Sequence, residues 1–381
     1  MSNDDGSKRT WSLKISGKDC LVELKSEGKV EFNGEFTDVA SITPSGYFRI
    51  TVNREGKRQE LEISGRGATL SREFRVDGTT RTYDAAAKSW FGDFLILLDR
   101  ETAIGVDVRL PKLLKQGGVD AVLKETALMT SDYARNRYYT ALGKSAKLSS
   151  SDTVKILNQA ASLGTSDYYA AELLQSVGPQ VGDSSAERAA LLGLVNIIES
   201  DYYIVEGIGS VFATRQMAAS DVDFLLKIVP RVESDYYKLE MVKRIVGGGK
   251  TDGAQRGSLA AVLGTMTSDY YMSAMLGELT RAGATTDSGR QANINAIGRI
   301  KSGYYASEGA QFVLRDAKLS ESDLLRMVDV VRSIREDYYK SEALRAIARH
   351  ASATARVRQA IGDATSGMSG YYRDEVLKIV R

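Results

Sequence analysis

The residues most able to bind or react recur at one spot in a repeated motif. Two adjacent tyrosines follow an acidic residue in "ESDYYKLE", residues 233–240. Related four-residue motifs begin at positions 131, 166, 200, 234, 268, 302, 336 and 369. The first tyrosines of successive motifs are 35, 34, 34, 34, 34, 34 and 33 residues apart. So regular a spacing predicts one structural unit per motif, with the same surface presented repeatedly.

A helical wheel places the first tyrosine of each motif nearly opposite the apolar stripe, beside a glutamate four residues further along. The candidate binding residues are Tyr168, Tyr202, Tyr236, Tyr270, Tyr304, Tyr338, Tyr371, Glu172, Glu206, Glu240, Glu308 and Glu342. One interpretation is structural, with the rings packing between successive repeats. Another is a groove lined by rings and carboxylates that binds a peptide, a glycan or a second copy of the chain. A third is a redox relay, for which the sequence offers no cofactor site.

No catalytic constellation accompanies the tyrosines. His350 is the single histidine, so Ser-His-Asp, Cys-His and histidine-based metal sites lack a second member. The stretch "GGGK" at 247–250 lacks the spacing of a phosphate-binding loop. Asp221 and Asp223 lie at a predicted helix start, where a capping role is expected. We therefore predict a protein that is not an enzyme and has no cofactor or metal. A hydrolase that acts on carbohydrate or peptide through carboxylates is the alternative.

The element that positions each motif is predicted to be a helical hairpin. Ser is a preferred N-cap, whose hydroxyl would accept an amide of the first turn, and Asp complements the helix dipole. Apolar residues then recur at helical spacing, as with Leu173, Leu174 and Val177. A polar loop and a second apolar helix lead to the next motif. The period equals that of tetratricopeptide repeats, but their Trp, Leu-Gly and Pro marks are missing, so we predict HEAT-like helical pairs.

The residues before the repeats follow a different pattern. Seven segments between residues 11 and 84 alternate apolar and polar residues and are separated by Gly-, Asn- and Ser-rich turns, which predicts seven antiparallel strands. A sandwich, a partly open barrel and a curved sheet capped by a helix all fit this pattern. The predicted domains are a flexible N-terminus over 1–10, a β domain over 11–84, linking helices with a degenerate cap repeat over 85–130, and an α-solenoid over 131–381. The fold class is α+β in two domains.

Composition and charge limit the function. The 381 residues carry 51 Lys and Arg against 49 Asp and Glu, and this balance favours neither nucleic acid nor an anionic membrane. No segment is apolar enough to span a bilayer. The polar start "MSNDDGSKRT" lacks a secretory signal, so we expect a cytoplasmic protein, or an extracytoplasmic one if a leader was removed. Cys20 is the single cysteine and says nothing of the compartment.

The Ser-Asp-Tyr motifs resemble the C-terminal regions of uncharacterised bacterial proteins, some of which are fused to antirepressor-type sensor metallopeptidases. The segments "FTDV", "YDAAAKSW" and "GGVDAVL" also look like the globular part of those proteins. The resemblance covers most of the chain. It implies the architecture and a frequently extracytoplasmic setting, but no activity. This sequence has Tyr where those motifs usually have Glu in seven of eight units, and it lacks the His-Glu-x-x-His helix of the peptidase.

Together these observations predict a non-catalytic interaction scaffold whose repeats bind a protein or peptide, a glycan, or another copy of the chain. An extracytoplasmic sensor or ligand-binding domain is a further alternative. Repetition favours a macromolecular ligand, because a small-molecule site needs residues that occur once, whereas repeated weak contacts add along an array.

Overall fold

The structure is a computed structural model that describes residues 9–15, 20–67, 69–213, 216–283, 286–316 and 318–381. Side chains are described from residue 21 onward, so Trp11 and Cys20 lie outside the described side chains. The predicted N-terminal segment 1–10 also lies outside the described residues, apart from Arg9 and Thr10, which begin the first strand. Contacts divide the chain between Tyr169 and Ala170 into two compact units.

The first part of the chain is a small antiparallel β region. Its strands are β1 Arg9–Ile15, β2 Cys20–Glu27, β3 Val30–Phe32, β4 Val39–Ile42, β5 Tyr47–Arg54, β6 Lys57–Arg66, β7 Thr69–Val76 and β8 Thr79–Arg81. Six of the described strands form one sheet in the order β1-β2-β5-β6-β7-β8, and β3 pairs with β4. The sequence predicted seven strands and missed β4. Only its first and last residues, Val39 and Ile42, are buried, so it shows no alternation.

A helix covers the sheet and completes its core. Ile50, Leu61 and Ile63 of the sheet are fully buried in one cluster with Phe91 and Leu95 of this helix. Of the three predicted arrangements, only the third places a helix against the sheet, and the shared core shows that contact. The change of sequence period is visible in the structure, since β8 ends at Arg81 and the covering helix begins at Ala85.

Helices make up the rest of the described chain. They are α1 Ala85–Thr102, α2 Val106–Thr126, α3 Asp132–Ser145, α4 Ser150–Ser162, α5 Asp167–Val177, α6 Ser185–Asn196, α7 Asp201–Phe212, α8 Ala219–Ile228, α9 Asp235–Gly248, α10 Gly253–Val262, α11 Asp269–Arg281, α12 Asp287–Ile297, α13 Gly303–Val313, α14 Glu321–Val331, α15 Asp337–Ala348, α16 Ala355–Ala364 and α17 Gly370–Val380. Helix α2 is interrupted at Gly117 and Gly118, where Gly118 takes a left-handed backbone that most residues avoid.

From α3 onward the helices follow the predicted repeat. Each motif opens a first helix, and a second helix follows before the next motif. Leu173, Leu174 and Val177 of α5 are fully buried, as the sequence predicted. In the second unit, the first helices α7, α9, α11, α13, α15 and α17 contact one another in succession, and so do the second helices α8, α10, α12, α14 and α16. The α+β fold class with a solenoid-like helical repeat is therefore confirmed, while the assignment to HEAT-like pairs stays a prediction.

Candidate interaction surface

The first residue of the motif occupies the N-cap position, but its predicted hydroxyl cap is mostly wrong. The hydroxyl of Ser131 accepts the N–H of Ala134 at 3.2 Å. No side-chain cap bond forms at Ser200, Ser234, Ser268, Ser302 or Ser369. At four of the first helices, α9, α11, α13 and α17, the backbone N–H of the motif's Ser instead donates a hydrogen bond to an Asp of the preceding repeat.

The carboxylate of the motif's Asp binds the start of the next repeat. Asp235 accepts the backbone N–H groups of Ser268 at 2.7 Å and of Thr267 at 2.8 Å. The same contact to the next motif's first residue occurs from Asp132 to Ser166, Asp201 to Ser234, Asp269 to Ser302 and Asp337 to Ser369, at 2.7–2.8 Å. We call these contacts the aspartate clamps. They give the Asp a role between repeats besides its predicted effect on its own helix.

One junction reverses the clamp. The motif at 302 has Gly303 where most others have Asp, and the next motif begins with Glu336 in place of Ser. A Cβ on Gly303 would collide with Oε2 of Glu336. The Glu336 carboxylate therefore lies beside the first turn of α13, in the space that an Asp side chain at position 303 would occupy. The two departures from the motif compensate each other.

The clamps change the acidity of the carboxyl groups. Burial opposes ionisation of Asp235, but the N–H groups of Thr267 and Ser268 and the nearby Lys238 outweigh it and hold its pKa below the usual value. The N–H of Ser369 likewise lowers the pKa of Asp337. Both aspartates are thus held in the charged form that accepts hydrogen bonds.

The tyrosines form a continuous series of contacting rings in the second unit, which we call the tyrosine ladder. Within a motif the two ring centroids are 4.9–5.1 Å apart. The first tyrosine of each motif also contacts the second tyrosine of the next at 5.7–6.3 Å, from Tyr202–Tyr237 to Tyr338–Tyr372. Most of these contacts are edge-to-face, a favourable geometry for aromatic pairs. In the first unit, Tyr169 contacts both Tyr133 and Tyr168.

The two tyrosines of a motif differ in exposure. Seven of the eight first tyrosines are 45–71% exposed, namely Tyr168, Tyr202, Tyr236, Tyr270, Tyr304, Tyr338 and Tyr371, whereas Tyr133 is half-buried. The second tyrosines are half-buried. The ladder therefore packs between repeats through one edge and leaves large parts of the first rings open to a ligand.

The glutamates beside the first tyrosines are engaged within the chain. Glu240 pairs with Lys243 and Glu342 with Arg345, both at 2.8 Å. Glu206 pairs with Arg244, and Glu308 accepts a hydrogen bond from the Ser273 hydroxyl at 2.7 Å. Glu172 also has a partner. The charges of the predicted glutamate track already have partners in the chain, so the rings are the more available part of the surface.

A cavity of about 710 Å³ opens beside the ladder in the second unit. Tyr202 and Tyr237 line it together with Glu199, Asp201 and Glu233. The Arg231 guanidinium also lines it, and this group donates to the Val195 carbonyl at 2.7 Å. Burial and the neighbouring Tyr236, Tyr202 and carboxylates raise the pKa of the Tyr237 hydroxyl. Aromatic faces and several carboxylates suit this cavity to a cationic group.

Sequence reasoning missed a buried ionic cluster in the first unit. Asp99 of α1 is fully buried and accepts the N–H of Gly105 at 2.6 Å, the guanidinium of Arg109 and the hydroxyl of Tyr138. Arg109 also pairs with Glu125 at 2.7 Å. The signal was an Asp inside the apolar run "FLILLDRETA". The contacts join α1, α2 and α3, which points to a structural role.

The carboxylates and the histidine singled out in the sequence have contacts within the described parts of the chain. Every carboxyl group there whose pKa departs clearly from its usual value is lowered, as in Glu60, Glu125 and Asp323. Asp221 accepts the N–H of Ala218 at 2.9 Å and pairs with Arg188, which is a capping role. Nδ1 of His350 accepts the N–H of Ser352. No cluster of three or more metal-ligating side chains occurs among the described residues.

The described helices also show no membrane span, since none is both long and apolar enough. No protein-family model matches the chain, and no match was found among curated proteins. A solved structure described as "Computational Design of Self-Assembling Cyclic Protein Homooligomers" is 11% identical over 76% of this chain and 91% of that chain, with a TM-score of 0.13. A score this low carries no argument about fold or function.

Proposed function

We propose that the protein is a non-catalytic interaction scaffold that binds a macromolecule along the tyrosine ladder. The observation that carries this proposal is the repeated exposure of the first tyrosine, 45–71% in six successive motifs of the second unit, from Tyr202 to Tyr371. Aromatic rings give large contact area at low cost in conformational entropy, and they are enriched in protein interfaces. Contacts repeated along an array add to useful affinity without a deep pocket.

The ion pairs that the glutamates make within the chain limit which chemical groups a partner could bind here. Because Glu206, Glu240 and Glu342 have cationic partners in the chain, the rings rather than this row of carboxylates would supply most of the contact. A protein or peptide partner fits such a surface, with a glycan as a further candidate. We also propose that the protein is related to the bacterial Ser-Asp-Tyr repeat proteins and, like many of them, lies outside the cytoplasm.

The test measures the free energy of unfolding and the capture of a partner in one variant that carries two substitutions. The variant Tyr236→Ser/Tyr270→Ser removes two adjacent first rings from the ladder. We expect a loss of unfolding free energy below about 1.5 kcal/mol per ring, because each ring keeps only edge contacts. We expect at least a roughly tenfold loss in the amount of partner captured from cell extract by the immobilised protein.

Leu128→Ser is the matched control, since Leu128 is 58% exposed and lies outside the ladder. Capture by this control should equal that of the wild type. A large loss of stability in the tyrosine variant, with undiminished capture per folded molecule, would show that the ladder only joins the repeats.

A further inference from the structure

A row of charges runs beside the tyrosine ladder and changes sign along it. The residue just before the first motif residue is exposed in five successive repeats of the second unit. These residues are Glu199, Glu233, Thr267, Lys301 and Arg335. The row therefore reads as two negative charges, one neutral residue and two positive charges. Its equivalent in the last motif, Met368, is buried and does not extend the row.

The row lies next to the rings. Glu199 and Glu233 line the cavity of about 710 Å³ together with Tyr202 and Tyr237. Lys301 and Arg335 occupy the same position in their own repeats, three residues before Tyr304 and Tyr338. Glu199 already has a contact within the chain. The side chains of Glu233, Lys301 and Arg335 take part in none of the ion pairs of the described residues. Within this row, negative charge thus lies at the end near Tyr202 and positive charge at the end near Tyr338.

We propose that the ladder binds a second copy of this chain, antiparallel, about a two-fold axis near Thr267 and Tyr270. Such an axis places Glu199 opposite Arg335 of the other copy and Glu233 opposite its Lys301. A two-fold interface uses the same patch on both copies, so the patch must be complementary to itself. This row of charges meets that condition, because its two ends carry opposite charge. A parallel arrangement would bring like charges together. This inference rests on the proposed function and names the partner.

The size of the surface fits a reversible dimer. A tyrosine buries about 150–250 Å² in full, so a half-exposed ring offers on the order of 100 Å². The five first tyrosines from Tyr202 to Tyr338 then supply on the order of 500 Å² per copy, and the charged row adds to this area. Standard specific interfaces bury about 800 Å² per partner. The acidic, ring-lined cavity would receive the Lys301 and Arg335 side chains, where aromatic faces also attract cations.

Charge reversal tests whether the row of charges makes the pairing. Sedimentation equilibrium of the full chain should show a concentration-dependent dimer that weakens at high salt. E199K/E233K makes both ends of the row positive, and K301E/R335E makes both ends negative. Each variant alone should dimerise at least tenfold more weakly than the wild type. An equimolar mixture of the two should recover the dimer, because opposite charges then meet at every pair. Recovery also shows that both variants are folded.

Two further variants act as controls. D329K/D363K makes the same change in charge at exposed positions on the second helices and should leave the dimer unchanged. Tyr270→Ser removes the ring at the axis and should weaken the dimer. A wild type that stays monomeric, or a mixture that fails to recover the dimer, would overturn the inference. A monomer that still captures another protein through Tyr236 and Tyr270 would leave the proposed function intact. A dimer insensitive to Tyr270→Ser would contradict both.

Discussion

Two regions of the molecule use an aspartate to hold separate segments together, one in a single buried cluster and the other in a contact repeated between helical units. In the first unit, Asp99 is fully buried and binds a backbone N–H, a guanidinium and a phenol from three places in the chain. In the second unit, Asp235 and its equivalents lie at the start of first helices and bind the next repeat's backbone. The first contact occurs once, whereas the second occurs at nearly every junction. A single buried cluster concentrates stability, while repeated clamps distribute it.

The largest expected effect is at the buried cluster. Asp99→Ala leaves Arg109 buried without its nearest carboxylate and leaves the hydroxyl of Tyr138 without its acceptor. Removing one partner of a buried ion pair costs about 3–5 kcal/mol. Chemical denaturation should show a loss of this size. Asp93→Ala on the exposed face of the same helix is the control and should change stability little. A loss below about 1 kcal/mol for Asp99→Ala would mean that the cluster is dispensable.

The next effect is at a single clamp. Asp235→Ala removes the acceptor of two backbone N–H groups at the start of α11. Hydrogen bonds to charged groups contribute about 1.5–3 kcal/mol, so we expect a loss in this range. Hydrogen exchange should locate the change at Thr267 and Ser268 rather than over the whole unit. A uniform loss of protection from hydrogen exchange across all repeats would contradict the idea that each clamp stabilises only its own junction.

A smaller effect should appear at the reversed junction. Gly303→Asp brings a second carboxylate against Glu336 and should cost about 1 kcal/mol, a usual size for coupling between contacting residues. Glu336→Ser in the same chain restores the motif of the other junctions and should recover the loss. A double-mutant cycle from melting curves measures this coupling. Additive effects would show that the two departures are unrelated.

The smallest effect concerns pH. The pKa of Asp235 is below the usual value in the folded protein, so ionised Asp235 adds stability above its unfolded pKa. This contribution falls as the pH drops below the unfolded value of about 4 and through the lower folded pKa. Asp235→Asn cannot ionise, so the fall in its urea midpoint between pH 6 and pH 3 should be smaller than that of the wild type. Equal falls in both proteins would exclude the clamp as a source of acid sensitivity.

The sequence predicted those features that are local or repeat at a fixed period. The α+β fold class and the buried stripe of Leu173, Leu174 and Val177 follow from residues close in the chain, whose spacing sets the exposed face. The exposure of the first tyrosines follows from the same helical wheel.

The contacts between distant residues could not be predicted in the same way. The clamp from Asp235 to Ser268 joins residues 33 apart, and Asp99 meets Tyr138 across 39. Local preferences correctly put Ser at the N-cap. They gave no sign that the backbone N–H of this Ser donates a hydrogen bond to the Asp of the preceding repeat. The joint departure of Gly303 and Glu336 from the motif is the sequence signal that could have pointed to this contact.

The central claim is that the first tyrosines face a partner, and solvent protection of their rings tests it most directly. Tyrosine nitration mapped by mass spectrometry, on the free chain and on the captured assembly, measures this protection. We expect Tyr202, Tyr236, Tyr270, Tyr304 and Tyr338 to be nitrated in the free chain and protected in the assembly, with the buried Tyr138 and Tyr139 unreactive in both. Equal nitration of the five first tyrosines in both states would contradict the claim.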